Sequence, residues 1–132
     1  MKRALIAATI YFLALFTLGF VLGTVRVTVV APRVGPLAAM LAEMPVMLVA
    51  AYFTCRWSVR RWRVSPTATA RWAMALWFLV LLSSVETLLG AALFGRSMAE
   101  QWTALATPSG LVGLSGQIIA ASLPIFGDCR VR

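Results

Sequence analysis

Ala4–Val25 reads ALIAATIYFLALFTLGFVLGTV, an uncharged run that follows Met1-Lys2-Arg3 and stops at Arg26. A helix rises 1.5 Å per residue, so about 20 apolar residues cross the hydrocarbon core of a bilayer. The run meets that length. The competing reading is a cleaved signal peptide, with Lys2 and Arg3 as its basic start. Signal peptides carry a shorter apolar core of ~7–15 residues and a small-residue cleavage motif. No such motif occurs between this run and Arg26. The expectation is a retained transmembrane helix over 4–25.

Three further apolar runs follow, at 36–55, 71–94 and 109–126, the first two of them interrupted by a glutamate. Of the 132 residues, 61% are hydrophobic and only 12% charged, about half the charge share of a soluble domain. Mean hydropathy is +0.90. A soluble fold this small buries too little of its surface to hide so much apolar area. The fold class expected is all-α and integral to the membrane. It is one domain over 1–132, with four transmembrane helices.

The breaks between spans have legible chemistry. Gly35-Pro36 opens the second helix, with proline in the first turn, where its missing N–H is not needed. Ser65-Pro66 and Thr107-Pro108 have the same cap-then-proline form before the third and fourth helices. Ser97-Met98-Ala99-Glu100 is a capping box, which predicts a short helix to about Ala106. Met98, Trp102 and Leu105 share one of its faces, as in a helix lying in the membrane interface on the outer side. Glu100 is then a cap. The two helix pairs suggest a duplication only weakly, for no internal repeat is convincing.

With four spans, the chain start, the 56–71 loop and the chain end share one side. That side holds Lys2, Arg3, Arg56, Arg60, Arg61, Arg63, Arg71, Arg130 and Arg132; the other holds Arg26, Arg33 and Arg96. Basic residues favour the cytoplasmic side, so both termini are expected there. Cys55 and Cys129 then face a reducing compartment, where a disulfide is not expected. The net charge of +8 is assigned to lipid, not to nucleic acid, because the basic residues flank apolar spans. Arg56, Trp57, Arg60, Arg61, Trp62 and Arg63 interleave arginine with tryptophan. One reading is a general interfacial belt against anionic lipids of the cytoplasmic leaflet. The sharper one is a specific phosphorylated headgroup site of the cardiolipin or phosphoinositide type.

The chain has no histidine, two cysteines and four acids. That removes histidine-based catalysis, haem ligation and zinc sites. No GxSxG, GxGxxG or Walker loop is present. No metal, cofactor or catalytic residue is expected.

Glu43 lies about seven residues inside the second span, roughly 10 Å deep. Glu86 and Gln117 lie about eight residues from the same side of the third and fourth spans, roughly 12 Å deep. Each lies on a face of small residues: Ala39, Met47 and Ala50 neighbour Glu43, Ser83 and Gly90 neighbour Glu86, and Gly110, Gly113, Ala120, Ala121 and Pro124 neighbour Gln117. Gly19 and Gly23 form a GxxxG pair, with Arg26 on the same face. Small faces let membrane helices approach, and ionisable groups turn away from lipid. Glu43, Glu86, Gln117 and Arg26 are therefore expected to cluster in the outer half, with Arg33 and Arg96 as a basic rim. Pro45 strands the carbonyl of Leu41 and is expected to kink the helix and open a polar pocket. Pro124 strands that of Ala120.

Leu18-Gly19, Leu22-Gly23-Thr24-Val25-Arg26, an expected turn at Ala31-Pro32-Arg33-Val34-Gly35, Glu43-Met44-Pro45, Arg60-Arg61, Glu86, Phe94-Gly95-Arg96-Ser97 and Gly113-Leu114-Ser115-Gly116-Gln117 form a pattern. It resembles small bacterial four-helix inner-membrane proteins over nearly the whole chain. The resemblance implies a bacterial inner membrane and brings no activity with it.

Three functions are compatible with these residues. The first expectation is a non-enzymatic packing or accessory subunit, assembled with itself or within a larger membrane complex. The second is a small proton-coupled transporter using Glu43 and Glu86. The third is an envelope-lipid enzyme using carboxylates and arginines.

Overall fold

The computed structural model describes residues 1–126, apart from the side chains of Phe94 and Ser109. Asp128, Cys129, Arg130 and Arg132 lie outside the described residues. The elements are α1 (Lys2–Val25), a π-helical stretch (Arg26–Val30), α2 (Ala31–Val34), α3 (Pro36–Arg61), α4 (Ala68–Phe94), α5 (Met98–Leu105) and α6 (Pro108–Phe126). Among the described residues there is no strand. Three helical segments, Lys2–Val34, Pro36–Arg61 and Ala68–Leu93, are long and apolar enough to cross a membrane. A fourth span results if α5 and α6, bent by 86°, are counted together.

The first helix does not stop at Val25. It runs on through the π-helical stretch into Ala31–Val34, which was expected to be a turn. The physical reason is Pro32. An α-helix would need its missing N–H for the carbonyl of Thr28, and its ring would collide there. The chain widens by one residue instead, and the Ala31 amide donates to the Arg26 carbonyl five residues back. Such π turns insert into α-helices without ending them. Gly35, at φ 91°, then reverses the chain, with Pro36 in the first turn of α3.

The second helix also outruns expectation, by six residues past Cys55. It ends in a Schellman motif. The Val64 amide donates to the Val59 carbonyl (3.0 Å) and the Arg63 amide to the Arg60 carbonyl (3.3 Å). Val59 and Val64 are both buried, supplying the apolar contact that accompanies this motif. The left-handed position, ordinarily glycine, is Arg63 at φ 47°. Arg56, Trp57, Arg60 and Arg61 are thus on the helix, and only Trp62 and Arg63 are on the turn. The third helix begins at Ala68, three residues early. Its cap is Thr67, whose Oγ1 accepts from the Ala70 amide at 3.3 Å, so Ser65 is not the cap. The capping box of α5 is present in both directions, between Ser97 and Glu100. The Oγ1 of Thr107 accepts from the Gly110 amide at the start of α6.

α1 and α6 each pack against both α3 and α4. The consecutive helices α3 and α4 therefore sit on a diagonal, and the turn between them crosses one end of the bundle. That end also carries Lys2, Arg3 and Arg71 and is called the basic end here; Arg26, Arg33 and Arg96 are at the far end. The core fills the basic half. Ala4, Ala7, Ala8, Tyr11, Phe12 and Leu15 of α1 recur at helical spacing and are all buried. They meet Ala51, Cys55 and Val59 of α3, Met74 and Phe78 of α4, and Ala120 and Ala121 of α6. Val64 of the crossing turn plugs this half from the end.

Two polar contacts lock it. Tyr11 is fully buried and donates its hydroxyl across the other diagonal to the carbonyl of Ala120 at 2.8 Å. That carbonyl lacks a helical donor because residue 124 is proline. The Tyr11 ring stacks on Phe78 at 4.8 Å. Nη1 of Arg71 donates to the Ile125 carbonyl at 3.5 Å, meeting the last turn of α6, where a cation suits the helix dipole.

Candidate functional site

In the far half the four helices do not close on one another. Leucine, tyrosine and phenylalanine fill the basic half. The far half instead has Gly19 on α1, and Gly113 and Gly116 on α6. Met40, Met44 and Met47 of α3 lie over these glycines. A Cβ on Gly19 would sit 3.4 Å from the Met47 methyl, one on Gly113 3.4 Å from the Met40 methyl, and one on Gly116 would run into the Met44 sulfur. The thioethers bend into the space that the glycines leave. A cavity of about 270 Å³ remains between the helices.

Its wall is built from one face of each helix. α3 contributes Met40, Glu43, Met44 and Met47, and α6 contributes Gly113, Gly116, Gln117 and Ala120. Both sets follow the i, i+3, i+4, i+7 spacing of a single face. α4 contributes Phe78, Leu82 and Glu86, and α1 contributes Phe12, Phe16, Gly19 and Phe20. Arg26 reaches in from the π-helical stretch.

The four expected polar residues all line this cavity, but as two pairs. In the first, Nη1 of Arg26 is 3.3 Å from Oε2 of Glu43, with both side chains mostly buried (24% and 14% exposed). The pair is held by charge and not by an aimed proton. The same Nη1 donates to the Met40 sulfur at 2.9 Å, while Oε2 of Glu43 is buried without a hydrogen bond. In the second pair, Nε2 of Gln117 donates to Oε1 of Glu86 at 2.7 Å. Glu86 remains exposed on the cavity side. The Arg26–Glu43 pair is ionic, and the Gln117–Glu86 pair is an amide–carboxylate hydrogen bond. With both acids ionised, the arginine offsets one carboxylate and the amide of Gln117 offsets none.

Other expected features fall elsewhere. Pro45 is exposed on the outer side of α3 and is not part of the cavity wall; the space comes from the glycines, not from a proline kink. Arg33 is exposed on α2, and Arg96 follows the left-handed Gly95 that ends α4. Neither is in the wall, so the basic rim is not assembled around the cavity. The carbonyl of Arg96 accepts from Gln101 of α5 at 3.4 Å. Arg56, Trp57, Arg60 and Arg61 line a separate groove at the basic end with Phe53, and Trp62 and Arg63 stand on the turn beside it.

Sequence reasoning missed the aromatic and thioether part of the wall. The signal was present: Phe12, Phe16 and Phe20 recur every four residues, and Met40 and Met44 share the face of Glu43 with Met47, the one thioether placed beside Glu43 from sequence. It also missed Tyr11 as the partner of the carbonyl that Pro124 strands.

Aromatic faces and polarisable sulfurs around a carboxylate suit a small cation that is partly apolar. Among the described residues no group of three or more metal-ligating acids, cysteines or histidines occurs. The wall includes no hydroxyl or thiol that would act as a nucleophile. No family model, curated protein or solved structure matches the chain. What the fold and site define is an all-helical chain with three to four membrane-length helices and a polar cavity among them.

Proposed function

We infer that this chain is a multi-pass protein of a bacterial inner membrane that binds a small organic cation in its far-half cavity and exchanges it for protons. It has four spans, the fourth formed by α6 with α5 lying at the outer surface, and both termini are cytoplasmic. The orientation rests on the excess of Lys2, Arg3, Arg56, Arg60, Arg61, Arg63 and Arg71 at one end over Arg26, Arg33 and Arg96 at the other. The bacterial assignment rests on the resemblance of the sequence pattern.

One observation carries the exchange reading. Both intramembrane carboxylates face a shared cavity, and of the two only Glu43 has a cationic partner among the described residues. A carboxyl group in such a place takes up either a proton or a substrate cation, and this competition is the basis of proton-coupled exchange. Glu86 is the exchanging group. Glu43 is held by Arg26 and sets the charge of the cavity. Gln117 positions the Glu86 carboxylate.

The test uses benzyltrimethylammonium, a cation small enough for the cavity, with sealed vesicles containing the protein and an internal pH dye. Cation added outside enters as protons leave, so the lumen turns alkaline. Glu86→Gln abolishes the response. Alkalinisation untouched by Glu86→Gln and Glu43→Gln would remove the glutamates from the mechanism.

The second reading, an accessory packing subunit, is favoured by the fact that each carboxylate already has a partner within the bundle. Such networks also fix helix register. It predicts no flux by the wild-type protein and a stoichiometric partner retained in native mass spectrometry. The envelope-lipid enzyme keeps Glu43, Glu86 and Arg26 but is not favoured, because Arg33 and Arg96 are not in the cavity wall.

A further inference from the structure

The last two turns of α3 carry a second feature, which shares no lining residue with the cavity. Phe53, Arg56, Trp57, Arg60 and Arg61 line an open groove of about 420 Å³. At 100° per residue these five positions occupy an arc of about 140° in the order Arg56, Arg60, Phe53, Trp57, Arg61. Two aromatic side chains therefore form the middle of the strip, and arginines stand on both flanks. Phe53 and Trp57 are 63% and 53% exposed, which in a soluble protein would be an unexplained apolar patch. Arg56 and Arg60 are one turn apart on the first flank, close enough to share one phosphate. Nη1 of Arg56 donates to the Tyr52 hydroxyl at 3.1 Å, which steadies it. On the other flank the Arg61 guanidinium rests over the Trp62 ring, 5.4 Å from its centre. Trp62 in turn meets Trp57 edge-on at 5.6 Å. The second cation is thus fixed by stacking and not left free in solvent. The two flanks are about 9 Å apart, measured between the Cα atoms of Arg56 and Arg61 on an ideal helix.

We propose that this groove is a specific site for an anionic phospholipid with two phosphates in its headgroup. One phosphate is held by Arg56 and Arg60 and the other by Arg61, with an acyl chain lying along Trp57 and Phe53. Charge complementarity selects the headgroup. The apolar strip, running from the helix end toward the bundle middle, selects a lipid over a free phosphate. A general interfacial belt needs arginine and tryptophan only somewhere at this depth. It does not need them sorted into an aromatic strip with a stacked cation on one side and a hydrogen-bonded cation on the other. The proposal rests on the multi-pass reading with this end at a lipid headgroup layer, and not on the cavity or on transport.

The experiment reconstitutes the full chain in nanodiscs of zwitterionic phospholipid. These are doped with either cardiolipin or phosphatidylglycerol at equal phosphate content. The lipid retained after gentle release is read by native mass spectrometry. The expected result is a single cardiolipin adduct, favoured several-fold over phosphatidylglycerol. Arg56→Gln, Arg60→Gln and Arg61→Gln should each weaken retention roughly fivefold, the effect of one basic residue near an anionic lipid. Trp62→Leu, which removes the ring under Arg61, should mimic Arg61→Gln. Arg33→Gln at the far end should change nothing. Trp62 packs partly against the core, so unchanged thermal unfolding of each variant is required to exclude a folding defect. Equal retention of the two lipids, or retention indifferent to all three arginines, overturns the proposal. So does displacement of the lipid by inorganic pyrophosphate at equal concentration, which would make the site one for a soluble anion. A chain that fails to enter nanodiscs at all would overturn the multi-pass reading itself.

Discussion

Replacing Tyr11 by phenylalanine removes one hydroxyl and leaves the ring to stack on Phe78 at 4.8 Å. The hydroxyl donates at 2.8 Å to the Ala120 carbonyl, which Pro124 leaves without its helical donor. A buried acceptor left unsatisfied costs about 1–3 kcal/mol in soluble proteins. Between membrane helices, hydrogen bonds average about 0.6 kcal/mol and reach about 1.7. This carbonyl has lost its backbone partner, so the upper part of the membrane range applies, about 1.5 kcal/mol. That corresponds to about a tenfold shift in the folding equilibrium. Pro124→Ala restores an N–H to the helix and gives Ala120 a second donor. In that background Tyr11→Phe should cost less than half as much. The assay is a double-mutant cycle on reversible unfolding in mixed micelles, with helix content as the readout. Equal costs in the two backgrounds would refute the reasoning, because the tyrosine would then not be serving the acceptor that proline orphans.

Further predictions follow the same geometry. Arg63→Gly should stabilise the chain by about 1 kcal/mol, seen as raised thermal unfolding, since arginine at φ 47° carries a left-handed penalty that glycine avoids. Ser97→Ala should remove the bond from the Glu100 amide to the Ser97 hydroxyl, leave the one from the residue-97 amide to the Glu100 carboxylate, cost about 1 kcal/mol, and speed amide exchange in α5 alone. Arg26→Gln and Glu43→Gln should act with opposite signs on benzyltrimethylammonium affinity. The first makes the cavity more negative and tightens binding, and the second leaves Arg26 uncompensated and weakens it. Gly116→Leu should displace Met44, fill the cavity and abolish binding measured by calorimetry.

Much of the helical framework was legible because span length is set by the bilayer and breaks by proline and glycine. Helix ends were read too short where the stop depended on tertiary structure. Arg63 takes the position expected of glycine because Val64 is drawn into the core. Pro32 widens a helix that sequence rules would end. The polar residues were legible one by one, since charge inside an apolar run stands out. Their division into an Arg26–Glu43 pair and a Glu86–Gln117 pair depends on which helices are neighbours. The non-sequential packing of α6 beside α3, with α4 on the diagonal, is not encoded in any local pattern. Nor is the failure of Arg33 and Arg96 to reach the cavity, since Arg33 is exposed on α2 and Arg96 is exposed after the left-handed Gly95 that ends α4.

The central claim is that Glu86 gives this cavity an uncompensated negative charge for a cation. A charge about 5 Å away in an effective dielectric near 20 interacts by about 3 kcal/mol before desolvation, so a net effect of about tenfold or more is expected. The most direct measurement is calorimetric binding of benzyltrimethylammonium to the purified protein in micelles, for the wild type and Glu86→Gln. Its neutral isostere neopentylbenzene serves as the control. The account predicts a single wild-type site, at least about tenfold weaker binding to Glu86→Gln, and an isostere indifferent to the substitution. Equal binding of the cation by both proteins would contradict it.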